Sequence, residues 1–288
     1  MARKEKKPKP GAQWRRVQNK RLMYAVYFLL RLAVVLVLVA QVFNRNYQNV
    51  FLCVLTLVLF TLPSFFERRL RIDLPDTLEI IILLFIFAAE ILGEIRAFYI
   101  LFPRWDDMLH TMNGFLCAAI GFALVDLLNR EQTLSIHLSP LYMSVAAFCF
   151  SMTIGVVWEF FEFFMDQVFL FDMQKDTVVA ALSTVNLDPA GGTNPVVVDG
   201  IQDVILVLAD GSQRPLALGG YLDTGLMDTM KDLLVNFVGA AVFSTIGFFY
   251  VKHRGRGTFA PRFIPRVLSP ADDGFAAPGQ QEHSSPEE

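Results

Sequence analysis

The stretch that decides the fold is PLYMSVAAFCFSMTIGVVWEFFEFFMD, residues 140–166, an apolar run that ends rich in Phe and acidic residues. It is longer than the roughly 20 residues that an α-helix needs to cross a bilayer. Its last part nevertheless carries three carboxylates, Glu159, Glu162 and Asp166. Because an ionised acid at the centre of a membrane helix costs about 2.5–3.5 kcal/mol on insertion scales, these side chains must face a cavity, a cation or one another.

The composition of the whole chain indicates a membrane protein. Of its 288 residues, 54% are hydrophobic and only 18% are charged. Soluble domains carry roughly 25% charged residues. The cysteines, Cys53, Cys117 and Cys149, are isolated within apolar runs, which predicts small reduced residues and no disulfide framework.

Six apolar runs are long enough to be membrane spans. The expected fold class is therefore an all-α integral membrane protein with six transmembrane helices. The spans are predicted at about 22–43, 49–66, 78–101, 108–128, 140–168 and 228–251. The second is short and interrupted by Pro63. The first follows a long basic segment with no clear small-residue cleavage site, so we expect a retained anchor and not a cleaved signal.

The distribution of Lys and Arg predicts the orientation. With the N-terminus inside, eighteen of the 25 basic residues fall in cytoplasmic segments. Cytoplasmic loops carry such an excess of Lys and Arg, so both termini are expected in the cytoplasm.

Three regions are expected outside the membrane. Residues 1–21 form a basic N-terminal segment, and residues 255–288 are rich in Pro, Gly, Ser and Glu and are expected to be disordered. Residues 169–227 form the sizeable extracytoplasmic loop between spans five and six. Apolar runs on both sides of Asp210-Gly211 predict a small β-hairpin there, and NPVVV at 194–198 predicts a further strand.

Polar residues of four spans are predicted to meet in the outer third of the membrane. Residues three or four apart share one face of a helix, and each of these spans has a polar stripe with that spacing. The predicted pocket contains Glu90, Glu94, Asp106, Asp107, His110, Glu159, Glu162, Asp166, Asp228, Asp232 and Asn236. We expect it to bind a polar or cationic ligand on the outer side.

A divalent cation is one candidate ligand of this pocket. The candidate metal ligands are Asp107, His110, Glu159, Glu162 and Asp232. A di-iron bundle would want two Glu-x-x-His motifs, and structural zinc prefers Cys and His, so a hard ion such as Ca²⁺, Mg²⁺ or Mn²⁺ suits these oxygen ligands better. The alternative that single acids are solvated helix ends or helix caps stays open.

A catalytic role is also open, and the sequence does not decide whether the protein is an enzyme. Glu159 or Glu162 is a candidate general base with His110 as its partner. The sequence contains no nucleophile motif and no Gly-rich phosphate loop before a suitable helix.

The motifs WEFFE at 158–162, DTMKD at 228–232 and NFVGA at 236–240 resemble the YjdF-like family of bacterial inner-membrane proteins. The pair Asp107/His110 with Asp232, Asn236 and Gly239 is also similar to VanZ-like proteins, which are linked to lipoglycopeptide resistance at the cell envelope. The likeness covers roughly residues 78–250 and implies a bacterial membrane protein with an outward polar site. It implies no reaction, and the long 169–227 loop departs from the compact family pattern.

Three functions follow as alternatives. The first is an envelope-related protein whose acidic/His pocket binds a cationic ligand, a divalent metal ion or a lipid headgroup. The second is a proton- or cation-coupled transporter, since acids within membrane spans are the expected relay. The third is a membrane-bound enzyme that acts on a lipid-linked substrate. The expected partners are the lipid bilayer and an envelope lipid or small cation, and no nucleic acid is expected.

Overall fold

The computed structural model describes residues 10–70, 72–130, 138–253, 263 and 266–267, and within them the chain is mostly helical. The α-helices are α1 (Pro10–Phe43), α2 (Tyr47–Leu59), α3 (Leu62–Leu70), α4 (Asp76–Phe87), α5 (Phe98–Leu101), α6 (Trp105–Arg130), α7 (Pro140–Phe169) and α8 (Leu226–Lys252). A π-helix, Ala88–Ile95, continues α4 directly. Residues 1–9 of the predicted N-terminal segment and most of the predicted C-terminal tail lie outside the described residues, and the rest of the N-terminal segment belongs to α1.

Among the described residues, five helical segments are long and apolar enough to cross a membrane. They are Arg21–Phe43, Tyr47–Arg69, Trp105–Asp126, Pro140–Phe169 and Leu226–Lys252. The second of these includes the break between α2 and α3, next to Pro63. The exposed Phe and Leu side chains of these helices suit a lipid environment.

The predicted third span, residues 78–101, is not one straight α-helix. It consists of α4, the π-helix and α5, with Ala97 in the left-handed backbone conformation at φ 56° between the last two. π-Helical turns are rare and occur mostly at functional sites. The sequence pattern missed this break because hydropathy does not report which carbonyl a backbone N–H binds.

Helices α6, α7 and α8 form a tightly packed bundle. A Cβ added to Gly114 of α6 would overlap the carbonyl oxygen of Asn236, and one added to Gly239 of α8 would overlap that of Thr111. Small residues at membrane-helix interfaces allow such close backbone approach. Ser151 of α7 donates a hydrogen bond to the Gly114 carbonyl at 2.7 Å, which joins the third helix to the pair.

An apolar core fills one end of this bundle. Its fully enclosed members include Phe122, Met143 and Phe243, and the Phe115 and Phe122 rings meet Phe243 edge-on. Helices α1, α2 and α4 with the π-helix form a second apolar cluster around Val34 and Phe60. Leu78 of α4 packs against Leu116 of α6 and joins the two groups.

The ends of α7 and α8 are set by local hydrogen bonds and backbone geometry. Ser139 caps α7 by accepting a hydrogen bond from the Tyr142 N–H, and Pro140 takes the first helical position. Pro is favoured there because that N–H has no partner within the helix. Leu170 ends α7 in the left-handed region.

Short antiparallel strand pairs make up much of the segment between α7 and α8. The strands are β2 (Val178–Val179), β3 (Leu182–Thr184), β4 (Val196–Val198), β5 (Ile205–Val207), β6 (Gln213–Pro215) and β7 (Tyr221–Leu222). They pair β2 with β7, β3 with β4 and β5 with β6. The predicted strand at 194–198 thus pairs with β3 and does not extend the β5–β6 pair. A further pair joins β1 (Ile72–Asp73) to β8 (Arg266–Val267).

A turn between β3 and β4 is organised by Asp188. Its carboxylate accepts hydrogen bonds from the backbone N–H groups of Ala190 and Asn194. These donors favour the ionised form and hold the pKa of Asp188 below its usual value.

Candidate functional site

A small cavity lies at the end of the α6–α7–α8 bundle opposite the apolar core. Its volume is about 10 Å³. It is lined by residues of the π-helix, α5, α6, α7, α8 and the segment after α7. The lining residues are Glu94, Tyr99, Asp106, His110, Glu162, Met173, Lys175, Asp228 and Asp232.

The imidazole of His110 lies among three carboxylates. Its Nε2 is 3.5 Å from Asp106 Oδ1 and 3.9 Å from Asp232 Oδ2, and its Nδ1 is 3.9 Å from Glu159 Oε1. Only 12% of the His110 side chain is exposed. One ring nitrogen therefore faces two carboxylates and the other faces a third.

Asp106, and not Asp107, shares the face of His110. Asp106 precedes His110 by four residues, so both point to one side of α6. Asp107 is rotated away and pairs with Lys231 of α8, with Nζ 2.6 Å from Oδ1. The His110 ring therefore approaches the i−4 residue Asp106, and the role of Asp107 as a metal ligand stays a prediction.

Asp106, His110 and Asp232 offer three ligand atoms that all lie within 4.8 Å of one another. Glu159 and Asp232 are 4% and 1% exposed, and Oε2 of Glu159 and Oδ1 of Asp232 accept no hydrogen bond within the described part of the chain. A buried carboxylate oxygen without a donor is costly, so it points to a proton, a water molecule or a cation at that position.

Glu162 is held by the residue that begins the acidic stretch. The indole N–H of Trp158, one helical turn earlier, donates a 2.8 Å hydrogen bond to Glu162 Oε1. The i, i+4 spacing of Trp158 and Glu162 is the sequence signal for this contact. Trp158 therefore orients one carboxylate of the site.

The other predicted residues have different surroundings. Glu94 forms an ion pair with Lys175 at 3.4 Å, and Glu90 is 3% exposed within the π-helix. Asn236 accepts a hydrogen bond from Asn113 at 3.0 Å, beneath the cavity. Asp166 and Asp228 accept backbone hydrogen bonds from residues 173–175, so both carboxylates hold the segment that covers the cavity.

Three lining residues, Tyr99 of α5 and then Met173 and Lys175, were not predicted from the sequence. Met173 and Lys175 lie in the segment after α7, where no helical period relates them to the acids. Met173 is 6% exposed, and Lys175 contributes an ammonium group to a site otherwise rich in carboxylates. No local sequence pattern predicts that Met173 and Lys175 line the cavity, because hydrogen bonds to Asp166 and Asp228 hold this segment in position.

These helices and the buried polar cluster define the class: a membrane protein with several apolar helices. Residues 26–253 match the family described as "Predicted membrane protein (DUF2238)", which is the YjdF-like family, and the chain belongs to it. No curated protein and no solved structure shows detectable similarity to the chain. The likeness to VanZ-like proteins stays a prediction.

Proposed function

We propose that this protein binds one divalent transition-metal ion, such as Mn²⁺ or Zn²⁺, through Asp106, His110 and Asp232. The observation that carries the proposal is the approach of their ligand atoms to within 4.8 Å of one another in a buried site. Residues from two different helices contribute, so an ion there would join the start of α6 to the start of α8.

The size of the cavity favours an ion over an organic ligand. A volume of about 10 Å³ matches about one water-sized probe. Neither a lipid headgroup nor an organic cation fits into that space. The unpartnered oxygens of Glu159 and Asp232 add negative charge around it.

The donor chemistry narrows the choice of ion. Ca²⁺ takes six to eight oxygen ligands, whereas imidazole suits Zn²⁺ and other transition metals. One imidazole with two carboxylates fits Mn²⁺ or Zn²⁺, and three protein ligands leave a coordination position open to water. Glu159, which faces the other nitrogen of His110 at 3.9 Å, would orient that ring as a neighbouring carboxylate commonly does for a metal-bound His.

The proposed site lies on the outer side of a bacterial plasma membrane. The excess of Lys and Arg in the segments assigned to the cytoplasm supports this orientation, with both termini inside. We include the α4, π-helix and α5 segment as the sixth span of this arrangement. The protein then presents its ion to the cell envelope, in accord with an envelope-related role.

A membrane-bound enzyme that acts on a lipid-linked substrate is the second candidate. An open groove has a volume of about 460 Å³ and is formed by residues that flank Asp106 in the sequence. Its lining residues are Phe102, Pro103, Arg104, Trp105 and Met108. It is mainly apolar, and its Arg104 suits a phosphate group. Turnover of labelled envelope lipid by the purified protein, lost in His110→Ala, is the expected result; no turnover across a broad lipid panel would remove this candidate.

The transporter alternative is less well supported. The described residues at the other end of the α6–α7–α8 bundle pack Phe122, Met143 and Phe243 into a closed apolar core. An ion path across the bundle would have to pass through that core.

Metal analysis of the purified protein tests the proposal. We expect about one Mn²⁺ or Zn²⁺ per chain, and more than about a 100-fold loss of affinity in Asp232→Asn, since even outer carboxylates contribute about 10–100-fold. Glu159→Gln is expected to lose about 10–100-fold. Asp126→Asn, at the far end of α6, is the matched control and should bind as the wild type does. No stoichiometric metal, or equal binding in Asp232→Asn, would refute the proposal.

A further inference from the structure

The segment that covers the cavity, residues 172–177, is here called the strap. It follows the end of α7 and lies against the start of α8. Asp166 of α7 accepts hydrogen bonds from the Met173 and Gln174 N–H groups at 2.7 and 2.8 Å. Asp228 of α8 accepts one from the Lys175 N–H at 2.8 Å. Acidic residues of two helices thus hold the backbone of the strap.

Side chains of the strap complete its attachment. Gln174 donates to the Thr229 hydroxyl at 2.5 Å, which joins the strap to the first turn of α8. A Cβ added to Gly225 would come within 2.7 Å of the Gln174 Cβ, so the strap lies directly on the residue before α8. The strap is therefore positioned against the helices that carry the proposed ligands.

Lys175 carries its positive charge from the strap into the cavity. Its Nζ is 3.4 Å from both carboxylate oxygens of Glu94 and also contacts the carbonyl oxygen of Asp172. The same cavity wall includes Asp106, His110 and Asp232. An ammonium group and a divalent ion in a cavity of about 10 Å³ repel each other.

We propose that Lys175 is a tethered cation that opposes metal binding, so that an ion enters the site only as the Lys175 ammonium moves out of it. Lys175 is then the residue that sets the affinity and the exchange rate of the site. This inference rests on the proposed function, because it requires that a metal ion binds there.

The geometry supports a movement of the side chain rather than of the whole strap. The backbone of Lys175 is fixed by Asp228, whereas its ammonium pairs with Glu94 at the long distance of 3.4 Å. A third of the Lys175 side chain, 33%, is exposed, so water can receive the displaced charge. Met173, which is buried beneath, would stay in place as the apolar cover.

Mn²⁺ binding to matched Lys175 variants tests this role. Lys175→Met keeps the aliphatic length and removes the charge, and it is expected to bind Mn²⁺ about tenfold more tightly and to take it up faster. Lys175→Arg keeps the charge and should stay within about threefold of the wild type. Equal or weaker binding by Lys175→Met, with wild-type thermal stability, would overturn the inference.

A second measurement uses the unmodified protein. An amine-reactive reagent, with mass spectrometry as the readout, should label Lys175 faster when Mn²⁺ is bound. Lys231, which pairs with Asp107 and does not line the cavity, is the internal control and should be labelled at an unchanged rate. Unchanged labelling of Lys175 on saturation with Mn²⁺ would overturn the inference.

The outcomes separate this inference from the proposed function. If the wild type and Lys175→Met bind Mn²⁺ equally, the metal site stands and the opposing role of Lys175 fails. If neither binds Mn²⁺, both fail. If only Lys175→Met binds it measurably, both are supported, since the tethered cation then excludes the ion from the wild-type site.

Discussion

The two ends of the α6–α7–α8 bundle are built from the same helices and differ in what fills them. One end contains Phe122, Met143 and Phe243, enclosed and in contact with one another. The other contains buried carboxylates around His110 and a small cavity. The apolar end can hold the helices together by packing alone, so the polar end is free to keep groups whose burial is costly.

Between the two ends, α6 and α8 make their closest backbone approach, at Gly114 and Gly239. Asn113 and Asn236 form a hydrogen bond at the same level. This layer joins the apolar end to the polar end, so the buried polar cluster rests on the packing below it.

The largest expected effect comes from a change in that layer. Gly239→Ala places a methyl group against the backbone carbonyl of Thr111, which cannot move aside without separating the helices. We expect a destabilisation of about 3 kcal/mol or more, measured by thermal unfolding in detergent.

Gly247→Ala is the matched control at the apolar end, because its new Cβ meets the side chain of Phe122 and not a backbone atom. Gly247→Ala should lower the stability to unfolding clearly less than Gly239→Ala does. An equal loss in both variants would show that the layer at Gly239 tolerates an added methyl group as well as the apolar end does.

An intermediate effect is expected from Trp158→Phe at the polar end. The substitution removes the donor to Glu162 and leaves an aromatic ring in place. A typical hydrogen bond within a protein contributes about 0.5–1.5 kcal/mol. We expect a smaller loss of stability than in Gly239→Ala, together with weaker metal binding, because Glu162 loses its orientation.

Phe161→Leu is the control for the aromatic contact, since the Trp158 and Phe161 rings lie 5.3 Å apart. It should leave metal binding unchanged. If Trp158→Phe binds metal as tightly as the wild type, Glu162 takes no part in the site.

The smallest expected effect concerns the strap and its pH dependence. Burial, and then the negative charges of Asp172, Asp223 and Asp166, raise the pKa of Asp176. Because the folded strap favours the neutral carboxyl, its stability is greatest at low pH and falls as pH rises through the raised pKa. Asp176→Asn should reduce this dependence.

Amide hydrogen exchange of residues 172–177, corrected for intrinsic rates, measures this effect. The strap of the wild type should exchange up to a few-fold faster at pH 7 than at pH 4 after correction, and this difference should be smaller in Asp176→Asn. Identical profiles for both proteins would show that Asp176 does not influence the strap.

The sequence was most informative where residues are related by a helical period. Glu159 and Glu162 share a stripe of α7, and both are buried next to the other acids, as their spacing predicts. The number of spans was harder to predict, because α4, the π-helix and α5 divide the third apolar run. A change from α- to π-helical hydrogen bonds leaves no mark on hydropathy.

Contacts between secondary-structure elements explain the other differences between the sequence-based predictions and the structure. Asp106 and not Asp107 is the neighbour of His110. This depends on how α8 packs, since Lys231 of α8 forms an ion pair with Asp107. The position of Lys175 depends on Asp228, which accepts a hydrogen bond from its N–H, and on Asp166, which accepts one from the N–H of the preceding Gln174. No local spacing in the sequence encodes either relation.

Pulsed electron paramagnetic resonance of the Mn²⁺-loaded protein tests the central claim most directly. The account predicts about one Mn²⁺ per chain with nitrogen coupling from a single imidazole, and loss of that coupling in His110→Gln. Mn²⁺ surrounded by oxygen alone, or an unchanged nitrogen signal in His110→Gln, would contradict a metal site at Asp106, His110 and Asp232.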